Sequence, residues 1–338
     1  MAKKPTLKIA GTGHYLPETI LTNKDLEKIM DTTDEWITQR VGIKERRVIG
    51  DSGLSTSDMA TSAGKAAIED AGITPEDLDC IIVATISPDM HFPSTAIFVQ
   101  QNLGASNAAA FDVSAACTGW IYGMTVAEGL ILSGKFKNIL VIGAEFLTAT
   151  ADINDRSTYV LFGDAAGACV VQPADGERGM LGSYIKSNGD LAELLWSYGG
   201  GTRVNKKVPD QEKMVDKDGN DKRSIIRMEG NKVYKYAVRA MIESAEKAME
   251  DAQITEADID MLIPHQANSR IIDAIAKRVN MPDEKVVRNL QFQGNTSSAS
   301  IPVALDQARK DGRLKDGDVL LVAAFGGGFT WGGLVIKM

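Results

Sequence analysis

The chain has 338 residues, 44% of them hydrophobic and 24% charged, with a formal net charge of −8. That is enough apolar material for a large core, in one domain or two fused ones. The acidic balance argues against general nucleic-acid or anionic-membrane binding, so an acidic partner would have to dock on a local basic patch.

In chain order, Leu7–Ala10 reads as a strand. No apolar signal region precedes it and no apolar run is long enough to span a bilayer, so a cytoplasmic protein with free thiols and no membrane association is expected. Residues 67–82, AIEDAGITPEDLDCII, read as the last turn of a helix, a Thr-led turn and an apolar strand. Ala108–Val113 reads as a strand, Thr118–Leu132 as a buried helix ended by Gly134, and Ile139–Gly143 as the next strand. A polar stretch from about Gly199 to Ser224 lacks apolar periodicity and reads as a long surface excursion. Beyond it, Met261–Ile263, Val319–Ala324 and Gly333–Lys337 read as strands, and Ser269–Val279 and about Ala299–Ala308 as helices. Alternating strands and helices give an α/β class.

The second half repeats the first. Residues 248–263, AMEDAQITEADIDMLI, match residues 67–82 at nine of sixteen positions, with an offset of 181. SGKFKN followed by ILVIGA matches DGRLKDGD followed by VLLVAA, with a short insertion and an offset of 178 at its start. Two matches in the same order imply a unit built twice, divided near residue 180 into 1–180 and 181–338; the period is too long for a solenoid.

Three residues stand out chemically. Cys117 lies in DVSAACTG between a strand and a helix, where the positive end of the helix dipole is expected to depress its pKa and favour the nucleophilic thiolate. Cys80 and Cys169 sit in apolar strand patterns and read as small buried hydrophobes, and no cysteine spacing fits a metal site. His265, in LIPHQAN, lies where a strand meets a helix, the end of an α/β sheet at which ligands bind. Asn295, in GNTSSASIP, has the alternative reading of a helix cap. The 178 offset makes it the counterpart of Cys117 in the other half. Facing helix starts would then hold Cys117 and Asn295 across a pseudo-twofold axis, with His265 entering the same space.

These motifs, with DTTDEWITQRVGIKERR at 31–47 and AFGGGFTWGG near the end, closely resemble β-ketoacyl-acyl-carrier-protein synthase III, a thiolase-like condensing enzyme, over essentially the whole chain. The resemblance implies a five-layered αβαβα fold and a homodimer. It implies that an acyl-CoA primer and malonyl-acyl-carrier protein give 3-oxoacyl-acyl-carrier protein, CO2 and CoA, with no metal or redox cofactor. Cys117 would hold the acyl group, with the N–H groups of Cys117 and Gly327 as oxyanion hole, while His265 and Asn295 bind the malonyl thioester carbonyl. Trp36 and Arg156 resemble the pair that sandwiches the CoA adenine, with Thr32 nearby. Gly230, Asn231 and Ala267 resemble pantetheine contacts, with Asn268 and Phe325 also on the substrate path. Phe92 resembles the residue that closes the partner subunit's acyl pocket, and Arg40, Lys235 and Arg270 resemble a basic face for the carrier protein. The 199–224 stretch is longer than the family usually carries and reads as a cover near the CoA entrance.

Other readings compete. Papain-like proteases share a Cys–His–Asn order, but not the sequence around Cys117. Thiolase uses a second, C-terminal cysteine, and none lies beyond Cys169. Hydroxymethylglutaryl-CoA synthase needs a glutamate base, for which Glu145 is the nearest candidate. A secondary-metabolism relative would use another primer or extender, and an inactive scaffold of the same fold would be expected to lose Cys117, His265 or Asn295.

Overall fold

The computed structural model describes residues 4–199, 201–202 and 225–338, so most of the 199–224 excursion lies outside the described residues. One five-stranded sheet runs, edge to edge, Leu7–Tyr15, Asp164–Pro173, Ile139–Phe146, Cys80–Ala84, Ala109–Val113. A four-stranded sheet runs Gly179–Ser187, Thr330–Lys337, Val319–Gly326, Met261–Pro264. The two orders superimpose with the same directions. In each, the first two pairings are antiparallel and the third is parallel. The fifth strand of the second sheet is reduced to a single parallel bridge between Leu262 and Val286.

The central strands are apolar on both faces because helices cover both. Gly119–Leu132 and Ser300–Lys310 lie between the sheets, packing Trp120, Met124, Ile301 and Leu305 against Ile82, Val141, Val322 and Leu334. Gly119–Leu132 is apolar nearly all round, as a helix enclosed by two sheets must be. Thr56–Asp70 and Thr95–Leu103 cover the outer face of the first sheet. Gly230–Ala252 and Ser269–Arg278 cover that of the second. Gly230–Ala252 buries Val233, Ala237, Met241, Ala245 and Ala248 at helical spacing. The expected αβαβα layering is borne out.

The repeated segments also match in atomic detail. Asp77 accepts bonds from the Thr74 N–H at 2.8 Å and the Thr74 hydroxyl at 2.9 Å, and Asp258 accepts the same two from Thr255 at the same distances. Each cap starts a single 3-10 turn that feeds the next strand.

The equivalence of Cys117 with Asn295 does not hold. A 3-10 turn over Ala116–Thr118 precedes Gly119–Leu132, and one over Ser297–Ala299 precedes Ser300–Lys310, so the offset at both helix starts is 119 + 181 = 300. Each turn opens on a residue of positive φ, Ala116 at 47° and Ser297 at 49°. The counterpart of Cys117 is Ser298. Helix length causes the discrepancy: 14 residues in the first half and 11 in the second, which changes the offset only after the helix has begun. The two starts do face each other, since a Cβ on Gly119 would lie 3.3 Å from the Ser298 Cβ.

Candidate active site

Cys117, His265 and Asn295 all line one cavity of about 630 Å3, reached past Trp36, Arg156 and Asn231. Cys117 also borders a second cavity of about 820 Å3, lined by Met90, Leu147, Phe162, Ile226 and Gly327 among others. The thiol therefore sits where two chambers meet. Backbone from the end of Val319–Gly326 closes on it: a Cβ on Gly326 would lie 2.7 Å from the Cys117 nitrogen, so only glycine fits there.

The thiol's surroundings reverse the expected pKa. Cys117 does stand just before a helix, but burial and then the Glu145 charge push it up to about 12, against a Ser297 hydroxyl that favours the thiolate. Desolvation outweighs the helix start. Cys80 and Cys169 are fully buried, as expected, and burial raises both thiols.

His265 follows the Met261–Pro264 strand and is completely buried. Burial lowers its pKa to about 3, so the ring is neutral near pH 7. Its Nδ1 lies 2.7 Å from the Ser300 hydroxyl, and its Nε2 has no partner. Ser300 has one proton and already takes a long bond from the Gln266 N–H at 3.5 Å. The tautomer that spends every group has Ser300 donating to Nδ1 and the proton on Nε2. The Phe325 ring packs edge-on to the imidazole, 5.9 Å between centroids. Gln266 braces the turn, donating to the carbonyls of Pro264 and Val287 and accepting the N–H groups of Asn289 and Leu290.

Asn295 is held by its backbone to Leu161 and Gly163. Its Oδ1 accepts the Ser297 N–H at 2.9 Å, which leaves the Nδ2 group for the cavity. Two N–H donors, on His265 and Asn295, thus serve one space that contains a thiol. Such an arrangement can polarise a carbonyl oxygen and stabilise an enolate.

Two family models match this chain, one described as 3-oxoacyl-[acyl-carrier-protein] synthase III at residues 111–189 and one described as 3-oxoacyl-[acyl-carrier-protein] synthase III C terminal at 249–338. The chain is 51% identical to the beta-ketoacyl-[acyl-carrier-protein] synthase III of Caldanaerobacter subterraneus, across 100% of this chain and 99% of that one. It belongs to the β-ketoacyl-[acyl-carrier-protein] synthase III family. The crystal structure of the Aquifex aeolicus synthase III has a TM-score of 0.88 at 47% identity, covering 98% of this chain and 100% of that chain. The priming β-ketosynthase of the R1128 polyketide pathway has 0.89 at 32% identity, covering 100% and 98%.

Most substrate positions expected from the motifs share the first cavity: Trp36, Arg40, Arg156, Gly230, Asn231, Ala267, Asn268, Arg270 and Phe325 all line it. Others lie elsewhere. Thr32 is buried with its hydroxyl unpartnered and lines neither cavity. Lys235 is exposed beside Tyr234, which does line the first. Phe92 is 84% exposed and points into neither, although Met90 and His91 line the second. Trp36 and Arg156 are stacked on each other, with the guanidinium 4.6 Å from the ring centroid, and Arg40 stands 5.4 Å from the same centroid. A planar base can enter between Trp36 and Arg156 only after they part.

Glu145 is not placed as a base. It is fully enclosed and lines neither cavity. Its Oε2 accepts from Thr85 at 3.3 Å, the Ile86 N–H at 3.1 Å and Ser87 at 2.6 Å, and its Oε1 accepts from Ser297 and Ser298, each at 2.9 Å. Ser297 and Ser300 are signalled only by the hydroxyl run of GNTSSASIP at a helix start, and Gln266 only by its place beside His265 in LIPHQAN.

Proposed function

We propose that this chain catalyses the decarboxylative Claisen condensation of an acyl-CoA primer, acetyl-CoA or another short acyl-CoA, with malonyl-acyl-carrier protein, the step that starts fatty acid synthesis. Cys117 Sγ attacks the primer thioester, the bond to the CoA sulfur breaks, and the thiol proton leaves with CoA. The N–H groups of Cys117 and Gly327 hold the oxyanion. In the second half-reaction His265 Nε2–H and Asn295 Nδ2–H donate to the malonyl thioester carbonyl. The C–C bond to the carboxylate breaks, its electron pair forms the enolate and CO2 departs. The enolate carbon attacks the acyl carbonyl, and the Cys117 sulfur leaves and takes up a proton. That electron pair supplies the nucleophile, so the reading calls for no metal or redox cofactor.

The observation that carries this reading is the convergence of a thiol and two fixed N–H donors on one cavity. Carrier-protein docking is assigned to Arg40, Arg270 and Lys235, around and beside the mouth of that cavity. The enzyme is read as a cytoplasmic homodimer in which Phe92, so exposed here, closes the partner subunit's acyl pocket. No helix among the described residues is long and apolar enough to cross a membrane. The test is a panel of labelled acyl-CoAs followed by malonyl-acyl-carrier protein. Label should appear on Cys117 and move to 3-oxoacyl-carrier protein with release of CO2. Labelling by none of the short acyl-CoAs would sink the assignment.

A further inference from the structure

The Glu145 carboxylate joins the two halves next to Cys117 without lining either cavity. It extends from Ile139–Phe146 in the first sheet, and its partners come from two separate loops. Thr85, Ile86 and Ser87 follow the Cys80–Ala84 strand and line the second cavity. Ser297 and Ser298 belong to the turn that follows Asn295.

Ser297 is the informative link. Its φ of +49° lies in a region where a side chain is strained. Its counterpart in the other half, Ala116, has the same backbone twist and no hydroxyl. At Ser297 the hydroxyl is fixed to Glu145 Oε1 at 2.9 Å while the backbone N–H is fixed to Asn295 Oδ1 at 2.9 Å. The N–H bond decides which end of the Asn295 amide faces the cavity. Asn295 is useful to a carbonyl oxygen only if Nδ2 faces it, because Oδ1 would repel it.

We infer that Glu145, acting through Ser297, is a positioning residue that keeps the Asn295 amide turned with its N–H donors toward the substrate carbonyl in the decarboxylation step. The inference rests on the condensation reading above. The hydrogen bonds of Glu145 orient the donor used in the second half-reaction, while its charge also bears on the Cys117 thiol, so the two half-reactions are measured apart. Glutamine at 145 preserves the shape. Its amide nitrogen must then face either the Ile86 N–H, which cannot accept, or the Ser297 and Ser298 hydroxyls, which can turn. In the second orientation the Ser297 bond is reversed and its turn loses the anchoring acceptor.

The experiment compares wild type, Glu145→Gln and Ser297→Ala in two assays: labelling of Cys117 by acetyl-CoA, and CO2 release from malonyl-acyl-carrier protein. Both variants should still be labelled, which also reports a folded site, and both should lose about tenfold or more in decarboxylation. A double-mutant cycle with Asn295→Ala separates positioning from general support. If Glu145 acts through Asn295, Glu145→Gln should cost little further once Asn295 is gone. Decarboxylation by Glu145→Gln within twofold of wild type overturns the inference. So does a tenfold loss that persists undiminished in the Asn295→Ala background. A wild-type enzyme that is labelled by no acyl-CoA and releases no CO2 instead overturns the condensation reading, and this inference with it.

Discussion

The two helix starts are one backbone put to two uses. Both form a 3-10 turn opened by a positive-φ residue and continue into a helix of the middle layer. In the first half the second turn residue is Cys117, at the junction of two cavities. In the second half the equivalent residue is Ser298, whose hydroxyl lies within hydrogen-bond distance of both the Ala84 carbonyl and Glu145. The amide donor of the second half comes instead from Asn295, three residues before Ser298 and ahead of its turn. The two facing starts share one backbone and differ in the side chain they carry, a thiol at one and at the other a hydroxyl beside Glu145.

Cys117→Ala removes the thiol that the second half has no counterpart for. It should abolish acyl-enzyme formation, a loss of about a thousandfold or more in condensation, while Ser298→Ala at the matching position leaves labelling intact. Mass spectrometry of the protein after incubation with acyl-CoA reads both. Next comes His265→Ala, which should still be labelled but should lose roughly 10²–10³ in CO2 release from malonyl-acyl-carrier protein. Decarboxylation at the wild-type rate would show that the enolate forms elsewhere.

A Cys117 thiol near 12 is protonated throughout the neutral range, and its thiolate grows with pH. Alkylation by iodoacetamide should rise about tenfold per pH unit from 7 to 10, with no plateau. A plateau near pH 7 would mean that the helix start wins after all. His265, lowered to about 3, keeps its ring neutral as pH falls, so CO2 release should show no inflection from it near 6.5. The smallest effect is structural. A Cβ on Gly119 would sit 3.0 Å from the Ala84 Cβ and 3.3 Å from that of Ser298. Gly119→Ala should cost about 1–3 kcal/mol in urea unfolding by crowding the two turns apart.

The fold was legible because strands covered on both faces leave continuous apolar runs, and because a 181-residue offset is visible in the letters. Cys117, His265 and Asn295 were legible because each is an unusual residue at a strand-to-helix junction. What sequence reading got wrong was non-local. The Cys117 thiol rises because the core buries it and, to a lesser degree, because Glu145 lies close, and no residue near 117 announces either. The counterpart was misassigned because a three-residue difference inside a helix cannot be located by matching the loops after it. Thr32, expected near the CoA adenine from the motif alone, is buried with its hydroxyl unpartnered.

The stacked Trp36 and Arg156 change what an affinity measured at this mouth would mean. An aromatic base that slides between them does not gain a bare surface; it exchanges one cation–ring contact for two new ones. Parting the pair costs every base the same, so it lowers all nucleotide affinities together and leaves their differences to the new contacts. A ligand with no base at all would leave the pair shut and meet the channel through a narrower doorway.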